Sequence, residues 1–142
     1  MKSFGWDLTY NCNYKCHYCQ VYADKEDSSP TRPLSDWVKA WNKIYEKYSE
    51  CEIFISGGEP SVYPDFFQLI KELSKIHRLN ICTNLSWDPE KLFEFPWPDN
   101  ILISATFHPF NANPKEFISK IKSLKNNLDR VNFLLYPEQS DS

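Results

Sequence analysis

Apolar residues along this chain fall into short runs separated by longer stretches of helical spacing. SFGWDLTY (3–10), CEIFIS (51–56), RLNICT (78–83), ILISATF (101–107) and RVNFLLY (130–136) are each brief and rich in aromatic or β-branched residues. Such near-continuous apolarity predicts strands buried on both faces. Between them the period changes. Leu34, Trp37, Val38, Trp41, Ile44, Tyr45 and Tyr48 follow i, i+3, i+4, i+7 spacing and predict a helix with one apolar face. Phe66, Phe67, Leu69, Ile70, Leu73 and Ile76 form a second stripe, entered through Pro64 at an expected first helical position. Asp88-Pro89 starts a short third helix. Asn113-Pro114-Lys115-Glu116 gives a fourth its cap, its first-turn proline and a capping-box-like glutamate.

The order β-α-β-α-β-α-β-α-β predicts an α/β fold: a parallel sheet of about five βα units with right-handed crossovers. Periodicity alone leaves open whether the sheet curls into a partial barrel. The polar stretch ADKEDSSPTR (23–32) reads as a long loop and YPEQSDS (136–142) as a solvated tail. In parallel α/β folds ligand chemistry gathers at the carboxyl ends of the strands. Four segments with unusual residues converge on that end: the cysteines after strand one, SGGEP after strand two, TN after strand three and FHP after strand four.

Composition narrows the class. A chain of 142 residues, 42% apolar and 16% aromatic, is one folded domain with a real core. Its net charge of −3 argues against a nucleic-acid binder dominated by phosphate contacts. No secretory signal or membrane span is visible, which predicts a cytoplasmic protein. In that reducing compartment clustered cysteines are metal ligands or catalytic thiols more often than disulfides.

Three of the five cysteines, Cys12, Cys16 and Cys19, stand within eight residues as C-x3-C-x2-C. Three thiolates on one loop suit a four-iron cluster, which normally takes four, leaving one iron open to a substrate or cofactor. The alternative is structural zinc, which usually pairs C-x2-C with a second pair further on. Cys51 and Cys82 are isolated inside strand patterns and read as buried small apolar residues. His17 could complete a zinc set only awkwardly from between Cys16 and Cys19. Ligand counting therefore favours iron and sulfide, with zinc the open alternative.

C-x3-C-x2-C after the first strand, an aromatic (Tyr18) before the last cysteine, and GGEP after the second strand together resemble the radical S-adenosylmethionine (radical SAM) superfamily, over residues 5 to 136. The resemblance implies a truncated TIM-like partial barrel, with residues 1–136 as the core domain and 137–142 as tail. It implies that Cys12, Cys16 and Cys19 bind three irons of a [4Fe-4S] cluster and that S-adenosyl-L-methionine chelates the fourth. One electron would cleave the sulfonium to methionine and a 5′-deoxyadenosyl radical, which abstracts hydrogen from substrate. Gly57, Gly58, Glu59 and Pro60 would hold the cofactor: the glycines by allowing close backbone approach, Glu59 by facing its ammonium, and Pro60 by stiffening the exit. Tyr18 matches the aromatic near the adenine. Asn84 and Ser104 match positions for the methionine carboxylate or the ribose, with Thr83 and Thr106 as competitors. His108 reads as a capped loop histidine, with substrate orientation or proton relay as its alternative. Trp37, Trp41, Tyr45 and Tyr48 read as packing residues; Trp87 and Trp97 read either as pocket lining or as surface anchors.

The chain departs from the family in two respects. Five strands stand where six are common, and the fifth-strand motif G-x-I-x-G-x-x-E is absent, leaving Asn132 as a substitute contact for adenine. A minimal enzyme, a fragment, or a subunit completed by a partner would each account for this. An apolar strand-five edge predicts a dimer contact or a partner subunit covering it. The expected partners are a peptide or small-molecule substrate and an electron donor such as a flavodoxin or ferredoxin. Other readings are an activase for a glycyl-radical enzyme and a non-catalytic metal-binding or partner-binding module.

Overall fold

The computed structural model describes residues 1–19, 31–96 and 98–135. Most of the 23–32 loop, Trp97 and the 136–142 tail lie outside the described residues. Five strands, β1 (Lys2–Thr9), β2 (Cys51–Gly57), β3 (Arg78–Thr83), β4 (Ile101–Phe107) and β5 (Leu128–Phe133), form one sheet. All neighbours are parallel, and the order along the sheet is the order along the chain. Each crossover therefore steps the same way, with no reversal of direction. That winding is the one that closes barrels, whereas an open doubly wound sheet reverses at a switch point. It decides the question that periodicity left open.

Helices α1 (Leu34–Tyr48), α2 (Phe66–Leu73) and α3 (Pro114–Leu124) provide three of the connections. The fourth, between β3 and β4, is a 3-10 turn over Pro89–Glu94 rather than the expected α-helix. Prolines at 89, 96 and 98 bound a segment too short for an i→i+4 ladder to propagate. Asp88 still caps it, its side chain accepting from the Glu90 amide at 3.0 Å. At α3 the expected cap is present: Asn113 Oδ1 accepts from the amides of Lys115 and Glu116. Pro64 falls just before α2, whose N-cap is Asp65.

The core lies between the sheet and its helices. Ile53, Ile55, Leu79, Ile81, Ile101, Ile103 and Ala105 are fully buried there against Phe66, Leu69, Ile70 and Leu73. Trp41 of α1 meets Phe4 and Trp6 of β1 at ring separations of 5.9 and 5.2 Å. The expectation of strands buried on both faces needs correcting. In a sheet wound one way the helices cover one face only, and the other carries Ser56, Cys82, Thr106 and Asn132, none of them buried. Cys82, expected as a buried small apolar residue, is exposed on that face. Cys51 matches its expectation: it is buried, and its thiol donates to the Ser49 carbonyl. Val131 and Phe133 of β5, with Leu135 beyond it, are exposed.

Candidate functional site

A pocket of about 350 Å³ opens at the carboxyl ends of the strands, within the usual size range for small-molecule sites. Its wall is built by four segments. Cys12, Cys16 and Cys19 come from the loop after β1, and Gly57, Gly58 and Glu59 from the end of β2. Cys82, Thr83 and Asn84 come from the end of β3, and Thr106 and His108 from β4 and beyond. The four segments singled out along the sequence therefore meet.

The cysteine loop is held against the β2 exit by backbone bonds. The Gly58 amide donates to the Thr9 carbonyl at 2.7 Å and the Glu59 amide to the Asn11 carbonyl at 2.8 Å. These bonds explain the glycine pair. Gly57 sits at φ +125, and a Cβ there would collide with the Thr9 carbonyl; one on Gly58 would collide with the carbonyl of Asn11. The glycines thus admit the first residues of the cysteine loop as well as lining the pocket. Asn84 ties down the other side: its Nδ2 donates to Asn13 Oδ1 at 2.9 Å, while Asn13 Nδ2 donates to Ser86 Oγ. Leu85, next in the chain, adopts a left-handed φ of 57, and Lys120 Nζ donates to its carbonyl.

Glu59 is 1% exposed, yet it forms no ion pair among the described residues. Oε1 accepts from Thr83 Oγ1 at 2.6 Å and from the hydroxyl and amide of Ser61. Oε2 accepts from the Asn84 amide at 2.7 Å. Thr83 is itself fixed, its oxygen accepting from the Leu85 amide and from Trp87 Nε1. Burial pushes the Glu59 carboxyl above its ordinary value, and the four hydrogen bonds oppose that only in part. A buried carboxylate of this kind gains strongly from a cation that enters the pocket.

The thiols differ in surroundings. Burial raises the Cys12 thiol, with the Tyr14 amide donating to its Sγ at 3.4 Å as the main opposing influence. Cys16 is buried, and its Sγ accepts from Asn111 Nδ2 at 3.2 Å and lies 3.7 Å from His108 Nδ1. The same imidazole nitrogen is 2.9 Å from the Tyr18 hydroxyl, and the two rings are parallel. Among the described residues no three His, Cys, Asp or Glu side chains are grouped to hold a single metal ion. A cluster with its irons at separate corners takes one thiolate at each, and three thiols around one pocket fit that demand.

Two of the residues expected at the cofactor stand outside the pocket lining. Ser104 does not line the pocket: it is buried within the sheet, its hydroxyl bonded to Asn80 Oδ1 and Asp129 Oδ2. Its position is one residue pair short of the strand end, where Thr106 takes the pocket place. Pro60 is buried as the first residue of a 3-10 turn and stiffens the exit without reaching the pocket. Trp87 belongs to the core, edge-on to Phe66 and Phe67. His17 meets the rings of Tyr18 and Phe110. Asn132 reaches Thr106 Oγ1 at 3.4 Å. The sequence reading missed Tyr14, Ser56 and Cys82 as pocket residues, and Asn111 as a partner of Cys16. Alternation along β3 was the available signal for Cys82, because it puts residue 82 on the face opposite Ile81.

A parallel partial barrel with three thiols and a buried carboxylate around one strand-end pocket defines an α/β cofactor-binding core. The family model of the radical SAM superfamily matches residues 6–135, and the chain belongs to that superfamily. The family's cofactors are a [4Fe-4S] cluster and S-adenosylmethionine. Mycofactocin maturase MftC of Mycobacterium ulcerans (strain Agy99) is 34% identical over 74 residues, 51% of this chain and 19% of that protein. The probable GTP 3',8-cyclase of Methanocella arvoryzae is 31% identical over 84 residues, 59% of this chain and 27% of that protein. These matches span only about a fifth to a quarter of the relatives' own lengths. Two solved structures share the fold. BtrN in complex with AdoMet and 2-DOIA superposes with a TM-score of 0.68 at 16% identity, over 99% of this chain and 58% of that one. Streptococcus suis SuiB bound to S-adenosylmethionine gives 0.55 at 19% identity, over 92% and 40%. No helix among the described residues is long and apolar enough to cross a membrane.

Proposed function

We propose that residues 1–136 form the catalytic core of a radical SAM enzyme, with Cys12, Cys16 and Cys19 as the cluster ligands. The observation that carries this reading is Glu59: a buried carboxylate without a cationic partner among the described residues, on the same pocket wall as three thiols. S-adenosylmethionine would offer its amino group to such a carboxylate. When bound, the cofactor pair supplies one-electron cleavage of a carbon–sulfur bond and so a carbon-centred radical able to take hydrogen from substrate.

The chain's own residues do the holding. Glu59 Oε2 carries one internal hydrogen bond against three on Oε1 and is the oxygen left to receive the ammonium. Thr83 and Ser61 fix the carboxylate's orientation, so that no reorganisation is needed when the ligand arrives. Asn84 locks the β3 exit to the cysteine loop through Asn13. Tyr18, Gly57 and Gly58 line the remaining wall, where an aromatic face and a flat backbone suit a purine and its ribose. Ser56, Cys82 and Thr106 mark the side from which substrate enters.

A peptide or small-molecule substrate is favoured over a glycyl-radical partner enzyme, since the relatives include a maturase and a cyclase named for GTP. An electron donor such as a flavodoxin or ferredoxin, and a dimer contact or partner subunit over exposed Val131 and Phe133, complete the proposal. The test is anaerobic: protein reconstituted with iron and sulfide is given S-adenosylmethionine and dithionite, and 5′-deoxyadenosine is measured by chromatography. Formation in the wild type and loss in Cys12→Ala, Cys16→Ala and Cys19→Ala is expected. A fully loaded protein that forms none would overturn the reading.

A further inference from the structure

The residues that follow β4 contact one cysteine of the three by two side chains. His108-Pro109-Phe110-Asn111 is a turn closed by the Asn111 amide donating to the His108 carbonyl at 3.0 Å, with proline at its second position. The Ala112 amide donates to the same carbonyl at 2.9 Å. This turn puts Asn111 Nδ2 at 3.2 Å from Cys16 Sγ while the His108 ring lies 3.7 Å from the same atom. Cys12 receives a backbone amide instead. Residues 92 and 95 positions away along the chain thus converge on a single sulfur.

We propose that this turn is a hydrogen-bonding clamp on Cys16, in which Asn111 is a positioning residue that sets the reduction potential of the cluster. The inference rests on the cluster assignment above. A thiolate that accepts an N–H bond donates less charge to its iron, so the reduced cluster is stabilised and its potential rises. The amide is suited to this because its Nδ2 can only donate.

The test uses reconstituted holoprotein in wild-type, Asn111→Leu, Asn111→Asp and Asn111→Ser forms. The cluster's midpoint potential is read by EPR-monitored redox titration, and its iron–cysteine stretch by resonance Raman spectroscopy. Both are intensive, so partial loading leaves them readable. Asn111→Leu is expected to move the potential to a more negative value and the stretch to a higher frequency. Asn111→Asp, which keeps the shape but offers an acceptor, should move the potential at least as far. Asn111→Ser, still a donor, should fall between them and the wild type. Wild-type values in Asn111→Leu and Asn111→Asp would overturn the clamp. So would complete loss of the chromophore in Asn111→Asp, which would make Asn111 a folding residue alone. A wild-type protein that assembles no cluster would instead sink the reading on which the clamp rests.

Discussion

Glu59 and Cys82 show how far burial decides the work of a single residue. Replacing Glu59 with glutamine removes the charge but keeps the size, and turns one oxygen into a donor that faces the Asn84 amide. Losing a charge-assisted bond is worth roughly 1.5–3 kcal/mol, so affinity for S-adenosylmethionine should fall about 10- to 100-fold. Calorimetric titration of reconstituted protein reads this, with iron content unchanged; wild-type affinity would remove Glu59 from its role. Cys82 is exposed and outside the C-x3-C-x2-C loop. Cys82→Ala should therefore keep the full iron content and shift stability by no more than about 0.5 kcal/mol. Loss of iron in that variant would mean that the ligand set had been misassigned. The places of Cys12, Cys16, Cys19, Gly57, Gly58 and Glu59 on the pocket wall were legible because spacing and glycine scarcity mark them. Ser104 was misplaced because a one-pair error in where a strand leaves its sheet moves a side chain from the pocket into a cross-strand network.

At the level of elements, the β1 and β2 exits act as one unit. Gly58→Ala must push its methyl against the Asn11 carbonyl, next to Cys12. Overpacking of that kind costs roughly 1–3 kcal/mol, and here it also displaces the cysteine loop, so both melting temperature and bound iron should drop; a variant with full iron would show the loop to be indifferent to this contact. A second joint lies at the opposite end of the sheet. His77 is buried, Nδ1 accepting from the Cys51 amide and Nε2 donating to the Trp41 carbonyl, which links α1, β2 and the entry to β3. Desolvation holds it below its ordinary 6.5. Protons therefore bind the unfolded chain more readily, so stability persists above pH 6.5 and declines as pH falls toward the lower folded value. Thermal melts between about pH 7.5 and 5.5 should show this decline, and His77→Gln should flatten it; an equally steep decline in the variant would assign it elsewhere. Strand positions were legible from apolar runs, but the 3-10 turn at 89–94 was not, because Asp-Pro opens α and 3-10 turns alike.

Across the whole molecule, the winding of the sheet is what joins fold to function. Four crossovers in one direction bring every carboxyl end to the same rim and leave Ser56, Cys82, Thr106 and Asn132 unburied on the inner face. Sequence order implied the parallel sheet, yet the asymmetry of its faces was hidden, because residues such as Phe54, Leu102 and Leu134 make inner and outer positions look equally apolar. The proposed chemistry depends on Cys12, Cys16 and Cys19 together holding an iron–sulfur cluster. Its most direct test is metal and acid-labile sulfide analysis of the anaerobically reconstituted chain. About four irons and about four sulfides per chain are expected, falling to none when any one of the three cysteines is replaced by alanine. One zinc per chain with no sulfide would contradict it.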